Sequence, residues 1–439
     1  MINTTNKILI TFSFLILISF LTKGQTNVSG IIDTNTTWTK ANSPYIVVDT
    51  VFLKWSTVLT IEPGVIIKFE HNKSIVIGYG KIIAEGILTD SITFTNNSIT
   101  PVLHTWEGIN FDESDFRDTS KFNYCNFSYA NNSLTSGYNN YSTGGMTIII
   151  NNSSFYNNNS GIFTGDNAGM YYFIDSCSFQ YNNRGIKLSH YGCLKISNSK
   201  ITQNGTGVNS AVRSKIENCI IDSNYSGILS YSNYDTIINC EIKYNRGTGI
   251  EESGYGPNSL ISNNVIENNN LGFLLRSIGD SSNISIICNR ICNNTTYDFD
   301  IFTNEKEINI FNNNWCTNDS AIIATHIHDG NDQNLIGFAN FIPFDTLQCY
   351  LNTGIQINET ENKLFEFFPN PADEYLKLKM KLSNSTSIIK IYNIFGELEF
   401  SSNIKENETI INISTLSIGI HIIELTISGK SERKKFIKQ

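Results

Sequence analysis

From Ile150 onward the sequence returns to one frame every 20 to 25 residues, and this periodicity limits the possible folds more than any other feature. Take Ser153, Cys177, Ser199, Cys219, Cys240, Asn264, Asn289 and Asn313 as origins. Three places earlier stands Ile150, Ile174, Ile196, Ile216, Ile237, Ile261, Ile286 or Ile310, and two places later Phe155, Phe179, Ile201, Ile221, Ile242, Ile266, Ile291 or Trp315. Five places later there is always asparagine: Asn158, Asn182, Asn204, Asn224, Asn245, Asn269, Asn294 and Asn318. Glycine then follows at Gly161, Gly185, Gly207, Gly227 and Gly272, shifted by one at Gly249, with an apolar residue behind it. A fixed period of this length marks a solenoid, because no single unit can bury its own apolar face and each must stack on its neighbours.

Spacing within the unit selects the kind of solenoid. The origin and the apolar residue two places on follow strand alternation, while the three-residue step from the isoleucine breaks it, as a tight bend would. The residue before the origin is usually asparagine (152, 198, 218, 239, 263, 312), which tolerates positive φ better than most side chains. Each unit therefore reads as strand, bend, strand, turn, glycine, strand, which is one coil of a right-handed parallel β-helix. Eight such coils stack at roughly 4.8 Å. Inward polar residues are expected to stack on their like, with asparagine amides hydrogen-bonded along the ladder and Cys or Ser filling the same small slot. Of the nine cysteines, Cys219 and Cys240 are expected to be neighbours, either as buried free thiols or as a bridge that requires awkward geometry between in-register strands. No spacing recommends a catalytic or metal-binding cysteine.

Composition excludes some classes. A hydrophobic fraction of 40% supplies a real core. Charged residues make up 16% with a net charge of −9, and no clustered Lys and Arg precede the C-terminus, so a nucleic-acid partner is not expected. The apolar run from Ile8 to Leu21 behind Lys7 reads as a secretory signal over 1–24, with the mature chain beginning near Gln25. That run is short for a membrane span and no other segment approaches one.

Upstream of the repeat, "LTIEPGVIIKF", "KIIAEGILTDSITFTNN" and "HTWEGINF" resemble the opening coils of exported bacterial β-helix proteins of the pectate-lyase-like superfamily. Downstream, "FNNNWCTNDSAIIATHIHDGNDQNLIGFANFIPF" resembles their closing segment. There, His326, His328 and Asp329 are a minor candidate for a metal site. After a polar connector the texture changes, and alternation at Leu376, Leu378, Met380 and Leu382 implies a small antiparallel β-sandwich. Phe368-Pro369-Asn370-Pro371, Ile391-Tyr392-Asn393 with Gly396, Ser414 and Leu416 with Gly419, and the terminal Lys434-Lys435-Phe436-Ile437-Lys438 resemble the C-terminal sorting domain of the Bacteroidetes type IX secretion system. That resemblance implies a tail read by the outer-membrane export machinery, and a product released or attached at the cell surface after passing through the periplasm. Triplets such as Asp49-Thr50-Val51 and Asp235-Thr236-Ile237 resemble the O-glycosylation sequence of that phylum.

The expected organisation is a signal over 1–24, a β-helix over 25–350, a linker over 351–362 and a sorting domain over 363–439, in an all-β chain expected to be monomeric. Acid–base hydrolysis needs clustered carboxylates, and the sequence has no Asp-Asp pair to supply them. A lyase needs a cation to neutralise a uronate and a base, with Arg184, Arg213, Arg246 and Arg276 as arginine candidates. Arg184 and Arg246 have a plain explanation as solvated turn residues. The segment after the glycine strand instead carries Tyr171, Tyr172, His190, Tyr191, Arg213, Tyr231, Tyr234 and Tyr255. If the register holds, they line one edge of successive coils and offer flat faces to sugar rings and a cation to a carboxylate. The expectation is a secreted or surface protein that binds a polysaccharide or adheres without catalysis, using no cofactor and no metal. The alternatives are a divergent polysaccharide lyase and a purely structural surface-layer component.

Overall fold

The structure, a computed structural model, describes residues 24–98, 100, 103–112, 119–136, 146–165, 169–189, 192–211, 213–232, 234–253, 259–276, 284–302, 307–344, 365–370, 372–380, 387–393, 397–404, 406–417, 419–427 and 430–438. Two units separate at Tyr350 and Leu351. The signal segment and connector of the sequence reading lie almost wholly outside the described residues.

The first unit is a parallel β-solenoid with three strands per coil. Its first face is a ladder of eleven strands from Thr36–Trp38 to Ser285–Ile287. Register along it joins Ile150 to Ile174, Ile196, Ile216, Ile237, Ile261 and Ile286 in turn. The second face stacks Phe94, Phe127, Phe155, Phe179, Ile201, Ile221, Ile242, Ile266 and Ile291. Ring centroids along Phe94, Phe127, Phe155 and Phe179 are 4.7, 4.8 and 4.6 Å apart, which measures the coil repeat. All these side chains are buried, and full burial of each is worth about 1.5–3 kcal/mol. The stack thus extends beyond the repeating coils into the upstream segment that was placed by resemblance.

Two backbone devices close each coil. Asn152, Ser176, Asn198, Asn218, Asn239, Asn263, Cys288 and Asn312 all have positive φ, between 49° and 58°, at the bend anticipated from the asparagines. The Asn ladder closes the second turn. The Asn182 backbone N–H and side-chain amide both donate to Asn204 Oδ1 at 3.0 Å, Asn204 does the same to Asn224, and Asn224 to Asn245. Each amide also donates inward to a carbonyl of the preceding coil, as Asn224 does to Ile201 at 3.0 Å. The ladder ends on Asp298, whose Oδ1 accepts from Asn294 at 2.8 Å, so Asn318 is not its last rung. Asn318 instead sits just before the helix Ser320–Thr325, whose N-cap is Asp319. The glycine that follows is needed for space: a Cβ on Gly227 would lie 2.3 Å from the carbonyl oxygen of Gly249.

The cysteines divide in a way the repeat does not foretell. Cys125, Cys177, Cys193, Cys219 and Cys240 are free, and all but Cys193 are buried. Cys219 and Cys240 lie against each other as thiols. Cys292 and Cys316 form a disulfide across adjacent coils, and Cys288 is also disulfide-bonded.

The second unit has two antiparallel sheets. Phe365–Phe368, Tyr375–Met380 and Glu408–Asn412 form one, and Leu398–Ile404, Ser387–Asn393, Gly419–Ile427 and Lys430–Lys438 form the other. Leu376, Leu378, Ile391, Ile423 and Phe436 share their core. Met380 packs against that core, while Leu382 lies outside the described residues.

Candidate functional site

The strand Met170–Asp175 alternates between inside and outside. Tyr171 and Phe173 therefore point outward and Tyr172 inward. On the next two coils Tyr171 is in register with Cys193 and then Arg213, and Phe173 with Lys195. The turn that leads into Thr236–Ile238 brings Tyr231, Ser232 and Tyr234 to the same place. Together these residues line one open cavity of about 820 Å³ on the edge of the solenoid.

Each cation of the groove lies over a ring from a neighbouring coil. The Arg213 guanidinium carbon is 5.0 Å from the Tyr234 ring centroid, and Lys195 Nζ is 5.3 Å from that of Phe173. Tyr171, Tyr231 and Tyr234 are each more than two-fifths exposed, so their faces are open to a ligand. Among the described lining residues there is no carboxylate. Glu251, a buried carboxylate beside Tyr231, is engaged with Arg276 at 2.6 Å. Burial, followed by the charge of Glu251, raises the Tyr231 hydroxyl above its usual range. Burial also raises the Cys193 thiol, although Lys195 and Arg213 oppose it.

Of the residues singled out in the sequence, the structure gathers Tyr171, Arg213, Tyr231 and Tyr234 around this cavity. Tyr172 must be corrected. It is fully buried, in register between Ile148 and Leu194, because the strand Met170–Asp175 turns alternate residues inward. His190, Tyr191 and Tyr255 lie outside the described residues. Phe173, Cys193 and Lys195 were missed, and the signal that could have found them is two-residue alternation from Tyr171 carried across the register.

The histidine segment does not converge. His328 Nδ1 pairs with Asp300 Oδ1 at 2.7 Å and stacks on Tyr297. His326 faces Asp298 at 3.7 Å. Asp329 accepts backbone N–H bonds from Asn331 in its own loop and from Ala339 in the strand Phe338–Asn340. Among the described residues one trio of metal-competent side chains comes together, Glu267, Cys292 and Cys316, but its two sulfurs are joined to each other.

Comparison with known proteins bears on both units. Residues 191–366 match the model of the right handed beta helix region, and residues 366–439 that of the secretion system C-terminal sorting domain. No curated protein matches the chain. Among solved structures, a variant of the periplasmic alginate epimerase AlgG is 14% identical with a TM-score of 0.43, over 64% of this chain and 69% of that one. The A-module of the Azotobacter vinelandii mannuronan C-5 epimerase AlgE4 is 12% identical with a TM-score of 0.31, over 73% and 86%. The tailspike gp49 of the Acinetobacter baumannii bacteriophage Fri1, a capsular polysaccharide depolymerase, is 9% identical with a TM-score of 0.26, over 96% and 74%. Likenesses this distant carry no functional argument. The repeat, the ladders and the two matched regions together make this chain a right-handed parallel β-helix protein that ends in a C-terminal sorting domain of the type IX secretion system.

Proposed function

We propose that the protein is a secreted or cell-surface glycan-binding protein whose groove holds an acidic polysaccharide without breaking it. The observation that carries this reading is the pairing of Arg213 with Tyr234 and of Lys195 with Phe173 in one cavity lined by no described carboxylate. Aromatic faces match the C–H faces of sugar rings, and the two cations supply the counter-charge for a uronate carboxylate. Lyase chemistry needs a base poised near neutral pH. The Tyr231 hydroxyl and Cys193 thiol are both displaced in the opposite direction, toward keeping their protons. Export by the type IX system delivers the protein to where extracellular polysaccharide is met.

The test is incubation of the purified protein with a panel of uronate and neutral polymers, with and without calcium. Retention of an acidic polymer with no new unsaturated-product absorbance supports the proposal. Growth of that absorbance replaces it with the lyase reading. Absence of both, on every polymer, leaves the purely structural reading.

A further inference from the structure

Behind the groove lies a buried carboxyl pair that the binding surface does not itself use. Asp235 is 1% and Glu252 2% exposed. Asp235 is fully solvated by protein donors. Its Oδ1 accepts the Ser214 N–H at 2.8 Å and the Ser232 hydroxyl at 2.7 Å, and its Oδ2 accepts the Ser230 hydroxyl. Glu252 is not solvated in this way. Its Oε1 accepts the Ser259 hydroxyl at 3.3 Å, its Oε2 has no hydrogen-bond partner, and the Ser230 hydroxyl beside it is already donated to Asp235. A carboxylate satisfied by several donors keeps its charge in a buried site, whereas one nearly without donors keeps its proton. Ser230 and Glu252 are register partners on adjacent coils, and Ser230 already donates to Asp235, which places one hydroxyl between the two acids.

The donors line the groove or adjoin its lining residues. Ser214 follows Arg213, Ser230 and Ser232 flank Tyr231, and Asp235 follows Tyr234. Asp235 thereby ties the segment that presents the groove's arginine to the one that presents two of its tyrosines. We infer that Asp235 and Glu252 hold one proton between them, on Glu252, and that this pair clamps Arg213, Tyr231 and Tyr234 in place. Loss of the proton then loosens the groove and makes it repel anions. The inference rests on the glycan-binding reading only for its ligand readout.

Other charges around the pair do not replace the missing proton. Arg213 lies over Tyr234 on the outer side, and Glu251 points outward to Arg276. Lys215 pairs with Glu217 on its own strand. The strands Thr206–Ser210, Ser226–Ser230 and Leu271–Leu275 bring no charged side chain. Burial and the Asp235 charge both raise Glu252 well above the usual carboxyl range, while the serine bonds restrain the rise at Asp235, so Asp235 ionises first.

Three measurements on the full chain test this. The infrared difference between wild type and Glu252→Gln should contain the carbonyl stretch of a protonated carboxylic acid at neutral pH, lost as the pH is raised. No such band overturns the assignment of the proton. Cys193 lines the groove and the other free cysteines are buried, so its alkylation by iodoacetamide reports groove geometry without any ligand. The ratio of wild-type to Glu252→Gln rates should rise severalfold with pH, and a constant ratio overturns the clamp. Affinity for polygalacturonate should fall on the order of tenfold from about pH 5 to about pH 9 in wild type and stay level in Glu252→Gln. Parallel curves overturn the coupling. If neither protein binds this polymer or any other uronate polymer at any pH, the glycan-binding reading fails, and the infrared and thiol results still decide the acid pair.

Discussion

Arg213 stands over the ring of Tyr234 from the following coil, 5.0 Å from its centroid, and neither residue is needed to hold the coils together. Both are exposed, and the strand that carries Arg213 is pinned by the buried Ile216 in register with Ile196 and Ile237. Tyr234→Ala and Arg213→Ala should therefore each weaken retention on an acidic polymer by about tenfold, the scale of a stacking or cation–π contact. Exposed changes of this kind shift stability by no more than about 0.5 kcal/mol, so Tm should hold. Lost retention accompanied by a collapsed Tm, or retention unchanged in both variants, would remove the groove from the account.

The asparagine ladder should behave as a core element in spite of its polarity. Asn224→Ala removes the acceptor of the Asn204 backbone and side-chain donors and strips the Ile201 carbonyl of its partner. Leaving such groups buried and unpaired costs about 1–3 kcal/mol each. We expect a loss of about 3 kcal/mol in urea unfolding. Asn183→Ala, on the exposed neighbouring ladder where Asn183 donates to Asn159 at 3.0 Å, should cost less than about 0.5 kcal/mol. Equal losses for the two variants would contradict the ladder's role.

Thiol chemistry offers a third check. Peptide mapping under non-reducing conditions should recover the Cys292 to Cys316 link and no Cys219 to Cys240 link. In the native protein a thiol reagent should titrate Cys193 quickly and reach Cys125, Cys177, Cys219 and Cys240 only after unfolding. Burial pushes Cys177 up to about 12, which removes its thiolate at neutral pH. The Cys292 to Cys316 pair spans 24 residues, and its loss as Cys292→Ser with Cys316→Ser should cost about 3 kcal/mol.

Stability should also depend on pH through Glu252. Its folded value is raised, so its contribution is fully present below the unfolded carboxyl value of about 4.3 and is lost as the pH climbs toward the folded one. Wild type should therefore lose stability relative to Glu252→Gln from about pH 5 upward. Asp235, raised in the same direction, adds a loss of the same sign. Urea unfolding at a series of pH values measures the difference, and a flat difference would show that Glu252 is already charged in the folded protein.

The sorting domain sets the protein's destination. Removal of residues 366–439 should leave the solenoid's core intact, since that core is closed without the tail. The truncated protein should accumulate in the periplasm, as cell fractionation would read, and release of the truncated form at wild-type level would refute the role of the tail.

The sequence by itself determined the coil. Ladder positions repeat because identical side chains must stack, so Ile150 to Ile286 and Asn158 to Asn294 were legible as columns, and the asparagines at the bends announced their positive φ. A second bend, at Asn157, Tyr181, Gln203, Ser223 and Tyr244, also has positive φ and was not legible. Its residue types vary because the following asparagine ladder, through its own bonds, holds the turn. Tertiary structure alone decided which side of a strand a residue takes and what the uneven loops bring together. A shift of one residue exchanges inside for outside, which is why Tyr171 lines the groove and Tyr172 fills the core. The acid pair was invisible for the same reason, because Asp235 and Glu252 stand at opposite ends of one coil's sequence, and only the closing of that coil, with Glu252 stacked on Ser230, brings them together.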